Sequence, residues 1–209
     1  MPTEVVVIRH AETFGNVEGR FCGHSETELT PLGVLQAKAL GRRLMGQQFD
    51  HAYSSDLSRA LDTARHALEH HHKPIEPLLD PRLREMYYGD WESLAYTELN
   101  KTQAEALRAW FTGKSFSPPG GESLQDVRDR TAEAIRELVS KHSGERLIVV
   151  SHGQAIGALV AELLQVPLES TWSFGVANTA ITRLSFSRRG RVTLVGFNDH
   201  AHIEGLTLE

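Results

Sequence analysis

The chain reads as an α/β fold of three layers, with helices on both faces of a mainly parallel central sheet and a short helical insertion. Two observations carry this expectation. Short, unbroken apolar runs rich in β-branched residues, Val5 to Ile8 and Leu147 to Val150, have the pattern of strands buried on both faces. Between them lie longer stretches with apolar residues at helical spacing, and strands that alternate with helices stack into such layers.

Taken in order, the first run ends at Arg9-His10. Thr30-Pro31 supplies an N-cap and a first-turn proline, opening a helix with Leu32, Leu35, Ala39 and Leu40 inward. Residues 51–54 form a brief strand. A helix from Asp56 sets Leu57, Ala60, Leu61, Ala64 and Leu68 on one stripe. Residues 93–116 lack strand alternation and form the insertion, which the breaker Ser117-Pro118-Pro119-Gly120-Gly121 closes at about residue 122. Ser123-Leu124-Gln125-Asp126 resembles a capping box for a helix with Leu124, Val127, Ile135 and Leu138 inward. Ala155 to Leu164 is another apolar-striped helix. Ala180–Ser185 and Val192–Phe197, separated by Ser187-Arg188-Arg189-Gly190, predict a hairpin at the sheet edge. No internal repeat is visible and the insertion is too short to stand alone, so residues 1–209 are expected to form one domain.

Composition narrows the function. The chain is 40% hydrophobic and 23% charged, ordinary for a soluble globular protein. Its net charge of −5 argues against a general nucleic-acid or anionic-membrane binder, which needs a basic face. If the substrate is anionic, the cations must be gathered locally. Cys22 is the only cysteine, which excludes an internal disulfide and a cysteine-built metal site. No leader pattern or membrane-length apolar run occurs, so a cytoplasmic protein is expected. His70, His71 and His72 are consecutive and cannot share one helix face, which points to a solvated helix end. There is no HExxH or other tight ligand spacing, so neither a metal nor a cofactor is expected.

In open α/β sheets, ligands sit beyond the carboxyl ends of the strands. Three segments bring polar groups there: Arg9-His10-Ala11-Glu12-Thr13 with Asn16, Ser54-Ser55 leading to Arg59, and Ser151-His152-Gly153. Two arginines, two histidines and an asparagine suit a phosphoryl group, whose transfer is catalysed mainly by positioning and charge stabilisation. Arg9 and Arg59 offer planar donor forks, and helix starts near Arg59 and Gly153 add backbone donors. A histidine with one ring nitrogen tied to a carbonyl presents the other as a nucleophile. Alone, each segment reads equally well as a surface or core feature; it is their joint placement that carries the reading.

Together these motifs resemble the histidine phosphatase superfamily, which includes cofactor-dependent phosphoglycerate mutase. Arg9-His10-Ala11-Glu12-Thr13 with Asn16 resembles the signature RHG-E-T-x-x-N, with Ala11 in place of the usual glycine. Gly23, Leu29-Thr30, Gly33 and Gln36-Ala37 continue it. Ser54-Ser55-Asp56-Leu57-Ser58-Arg59-Ala60, Leu83-Arg84-Glu85, Gly89-Asp90-Trp91-Glu92 and Ser151-His152-Gly153 complete the order. The resemblance implies that His10 is the phosphorylated nucleophile. It implies that Arg9, Asn16, Gly23, Arg59, His152 and Gly153 hold the phosphoryl group. Glu85, which spacing alone leaves as a surface carboxylate, is implied as proton donor and later base.

Tyr87-Tyr88-Gly89-Asp90-Trp91-Glu92 resembles the phosphatase members of the family more than the mutases. Residues 93–125 carry only Lys101, Arg108 and Lys114 as cations, too few for a second phosphate. A phosphatase acting on a small phosphorylated metabolite is therefore expected. A mutase is the alternative, and a silent phospholigand-binding scaffold is argued against by the presence of both His10 and Glu85. Sugar phosphates, phosphoglycerates, nucleotides and alpha-ribazole phosphate all fit the family, and the oligomeric state stays open, a homodimer among the options. Trp110, Phe111 and Phe116 read either as insertion core or as a pocket mouth for an apolar or ring-bearing substrate. Cys22, beside Gly23, reads either as a small buried hydrophobe or as a rim thiol made reactive by nearby cations.

Overall fold

A computed structural model of the protein describes residues 1–112 and 117–207. Its elements in order are β1 (Thr3–Arg9), α1 (Phe14–Val17), α2 (Pro31–Leu44), β2 (His51–Ser54), α3 (Ser58–Leu68), β3 (Leu78–Leu79), α4 (Tyr96–Thr102), α5 (Ala104–Thr112), α6 (Leu124–Lys141), β4 (Arg146–Ser151), α7 (Gly153–Leu163), β5 (Ile181–Phe186) and β6 (Val192–Asp199), with short 3-10 turns between some of them. The strands form one sheet in the order β3-β2-β4-β1-β5-β6. The first four of these run parallel, and β5 and β6 add an antiparallel edge hairpin.

Strand alternation divides the core. Val5 and Val7 of β1, with Leu147 and Val149 of β4, face α6 and α7. Val6 and Ile8, with Ile148 and Val150, face α2 and α3. Both faces are covered, as the unbroken apolar runs require. The expected caps form: Thr30 Oγ1 accepts from Gly33 N at 2.9 Å, and Ser123 and Asp126 make a reciprocal capping box.

Two expectations are corrected. The helix predicted from Asp56 begins at Ser58, because the Asp56 carboxylate is engaged by Arg84, with Nε 2.7 Å from Oδ1. Leu35 of α2 is exposed rather than inward; the buried stripe runs through Gly33, Gln36, Ala37, Leu40 and Leu44. Strand β3, only two residues long, left no periodic signal to read.

The insertion is helical where described, as α4 and α5; Lys114 and Phe116 lie outside the described residues. A third apolar cluster joins Leu99, Leu107 and Trp110 of the insertion to Leu124 and Val127 of α6 and Ala155 and Ala158 of α7. That packing seats the insertion beside the start of α7, where β4 ends. No helix among the described residues is long and apolar enough to cross a membrane.

Candidate active site

Parallel pairing brings three strand ends level: Arg9 of β1 lies opposite Ser151 of β4, and Ser54 of β2 opposite Val150. His10 follows β1 directly. Its Nδ1 lies 2.7 Å from the carbonyl of Ala11. A carbonyl can only accept, so Nδ1 carries the hydrogen and Nε2 keeps its lone pair. The side chain is buried, and its pKa falls well below the usual histidine value, through burial first and then the charges of Arg59 and Arg9. His10 is thus a neutral, oriented imidazole. Ala11 fits where the family signature has glycine because its backbone is not left-handed; among described non-glycine residues that conformation occurs at Ser93, Gln165, Thr179 and Asn198.

Arg59, 2% exposed, enters from the first turn of α3. It donates from Nη2 to Gly23 O at 2.6 Å and from Nη1 to Ser25 O at 3.0 Å. Gly23 has φ +48°, and a Cβ there would lie 1.9 Å from Glu92 Oε1 and 2.9 Å from Met86 O, so no larger residue fits the turn. Arg9 donates to Val176 O, and its buried Nε has no hydrogen-bond partner among the described residues. Burial lowers the pKa of both guanidiniums; both stay charged, since an arginine starts far above neutral pH. Asn16 accepts through Oδ1 from Thr13 N at 3.1 Å, which leaves its Nδ2 hydrogens for the cavity it lines.

Glu85 lies against the start of α7. Its Oε1 accepts from Met86 N at 3.0 Å and Ala155 N at 3.1 Å, and its Oε2 from Gln154 N at 3.2 Å. These are partners for an oxyanion. To deliver a proton to a substrate, the carboxyl has to turn one oxygen away from these amides. His152 is fully buried, its ring centroid 5.1 Å from that of His10. Its Nε2 is 2.8 Å from Ser55 Oγ, and its Nδ1 is buried with no partner among the described residues. Burial lowers its pKa well below the usual value. When the Ser55 hydroxyl donates to Nε2, the single proton sits on Nδ1 as a free donor.

Arg9, His10, Asn16, Gly23, Arg59, Glu85 and Gly153 line one cavity of about 470 Å³. His152 does not line it. An aromatic wall also lines the cavity, with Tyr96, Trp110, Phe111 and Trp172. Trp110 and Phe111 pack on Trp172 with ring centroids 4.5 and 5.1 Å apart. The two readings of the insertion aromatics both hold in part. Trp110 is buried core that also faces the cavity, whereas Phe111 is 40% exposed. Cys22 is half-buried and lines the cavity, as the second of its two readings has it, but without the activation that reading carries: burial pushes the thiol pKa up, outweighing Arg59.

The sequence profile of the histidine phosphatase superfamily (branch 1) matches residues 5–200. The chain belongs to that family. It is 39% identical over 171 residues to the adenosylcobalamin/alpha-ribazole phosphatase of Salmonella typhimurium, covering 81% of this chain and 84% of the relative. To the metal-independent phosphoserine phosphatase of Arabidopsis thaliana it is 37% identical over 166 residues, covering 78% and 69%. The solved structure of Bacillus stearothermophilus YhfR superposes with a TM-score of 0.88 at 32% identity, covering 96% of this chain and 99% of that one.

Four residues that support this histidine phosphatase site escaped sequence reasoning. Asn178 Nδ2 donates to His10 O at 3.0 Å and to Asn16 Oδ1 at 3.2 Å. Thr179 N donates to Arg9 O and His10 O at 3.1 and 3.3 Å. Arg130 Nη2 and His24 Nε2 donate to the Glu85 carbonyl at 2.7 and 2.9 Å. Asn178 and Thr179 sit just before β5, and the antiparallel pairing of β5 with β1, which no sequence pattern recorded, brings them to His10.

Proposed function

We propose that this enzyme hydrolyses small phosphorylated metabolites, among them esters with a ring-bearing leaving group, through a phosphohistidine at His10. The observation that carries the reading is the Nδ1–Ala11 bond, which leaves an unprotonated Nε2 in a cavity flanked by Arg9 and Arg59. His10 Nε2 attacks phosphorus, and the bond from phosphorus to the ester oxygen breaks. Glu85, protonated and with one oxygen turned away from the amides that hold it, gives its proton to that oxygen, which leaves as an alcohol. Water then attacks the phosphohistidine while Glu85 takes up its proton, and inorganic phosphate departs. Arg9, Arg59, Asn16 and the backbone around Gly23 and Gly153 hold the equatorial oxygens, where charge accumulates; His152 stands behind His10, with ring centroids 5.1 Å apart. No step calls for a metal.

Residues 1–209 act as one histidine phosphatase domain, with the insertion at about 93–122 supplying the aromatic wall. That wall faces the leaving group, and among the described residues Arg20 is the one cation that lines the cavity besides Arg9 and Arg59, which favours a phosphatase over a mutase; the relatives are named for alpha-ribazole and for phosphoserine. A panel of phosphomonoesters ranked by kcat/KM without added metal, run beside His10→Ala, tests the reading. Wild type should turn over several members, and the variant should fall to background while keeping its fold. A variant with wild-type rates would end it.

A further inference from the structure

A second histidine cluster stands at the opposite end of the sheet, where the phosphoryl chemistry makes no use of it. His51 opens β2, His142 caps the carboxyl end of α6, and Glu145 immediately precedes β4. His51 Nε2 and His142 Nδ1 each lie 2.9 Å from the same oxygen, Glu145 Oε2. The two imidazoles are stacked, with centroids 3.9 Å apart and planes 35° apart. His142 is buried, whereas the His51 and Glu145 side chains are about two-fifths exposed. The other nitrogen of His142, Nε2, is 2.8 Å from Tyr53 Oη.

Two imidazole nitrogens and a carboxylate aimed at one point are a donor set suited to zinc and its transition-metal neighbours and poorly suited to magnesium or calcium. The three ligand atoms lie within 4.8 Å of one another. Tetrahedral zinc, with bonds of about 2.0–2.2 Å, sets its ligands about 3.3 Å apart, against 2.9 Å from each imidazole nitrogen to the carboxylate oxygen here. Tyr53 completes the pattern. When Nδ1 of His142 binds a cation, Nε2 carries the proton and donates to the phenol oxygen, the kind of outer contact that fixes a ligating imidazole. The exposed side leaves room for water as a further ligand.

We propose that His51, His142 and Glu145 bind a zinc-class divalent cation that ties the end of α6 to the amino ends of β2 and β4. The site is structural. It lies at the end of the sheet away from the cavity lined by His10.

Calorimetry of the full, tag-free chain with Zn²⁺ tests this, alongside His51→Ala and Glu145→Gln, whose side chains are exposed enough for the variants to fold. Wild type should bind one Zn²⁺ saturably, and Zn²⁺ at 100 times its Kd should raise Tm by about 5–10 °C. Mg²⁺ at the same concentration should not. Each variant should lose at least about 10-fold in affinity and most of the Tm shift, and Tyr53→Phe should weaken binding less. Absence of saturable binding would overturn the proposal. So would equal affinity in wild type and both variants, which would put the zinc on His70–His72 or beside His10.

Discussion

The cavity has two sides built on different principles. Its floor is made of polar groups whose directions are fixed by backbone: His10 by the Ala11 carbonyl, Glu85 by three amides, Arg59 by the carbonyls of Gly23 and Ser25. Its wall is made of rings held by other rings, with Phe111 and Tyr96 partly open to solvent. In the proposed reading the floor meets the part every phosphomonoester shares and the wall the part that differs, so that one side would set the rate of the chemistry and the other the choice of substrate.

That division predicts a graded series. Arg59→Ala removes a buried donor and releases the Gly23–Ser25 turn, so kcat/KM should drop on the order of 100- to 1000-fold for every substrate alike. A loss confined to ring-bearing esters would break the division. Glu85→Gln keeps the shape but has no proton to give. Single-turnover phosphorylation by an alkyl phosphate should slow about 100-fold, and by p-nitrophenyl phosphate much less, because p-nitrophenolate leaves without help. Equal losses would make Glu85 a structural member of the floor. Phe111→Ala should raise KM for ring-bearing esters roughly 2- to 10-fold, the worth of an aromatic contact. It should leave glycerol phosphate and Tm nearly unchanged.

Beneath the floor the smallest effect is one of acid stability. His10 and His152 are held neutral by burial, and His202, which reaches Thr179 Oγ1 at 3.0 Å, has its pKa pushed down to about 4. Between the unfolded value near 6.5 and these lowered values the unfolded chain binds more protons. Stability is therefore full above about pH 6.5 and is lost as pH falls. Tm should decline from pH 6.5 to 4.5, and His202→Gln should decline less steeply. A flat profile in wild type would contradict the buried, neutral assignment.

Much of the floor was legible in the sequence because strand ends and the following turns carry compact motifs. Arg9, His10, Asn16, Arg59 and Gly153 are each within a few residues of a readable strand or helix start, and the structure brings them around one cavity. Glu85 has no such address. It follows a 3-10 turn, and only the order of family motifs pointed to it; its bonds to the α7 amides span some seventy residues of sequence. Asn178 and Thr179 were missed for the same reason, since they reach His10 from the far end of the chain. Leu35 misled because α2 buries small residues, Gly33 and Ala37, against its neighbours, so hydrophobicity alone marked the wrong stripe. The direction of the Cys22 shift depends on how deeply the thiol is covered, which no local pattern records.

In the proposed reaction the phosphoryl group passes to His10. Glu85→Gln mixed with p-nitrophenyl phosphate and quenched in base within one turnover should hold phosphate on the enzyme, because water activation is impaired while phosphorylation continues. Peptide mapping should find that phosphate, labile to acid, on His10. Phosphate on any other residue, or phosphoenzyme that forms equally in the His10→Ala background, would contradict it.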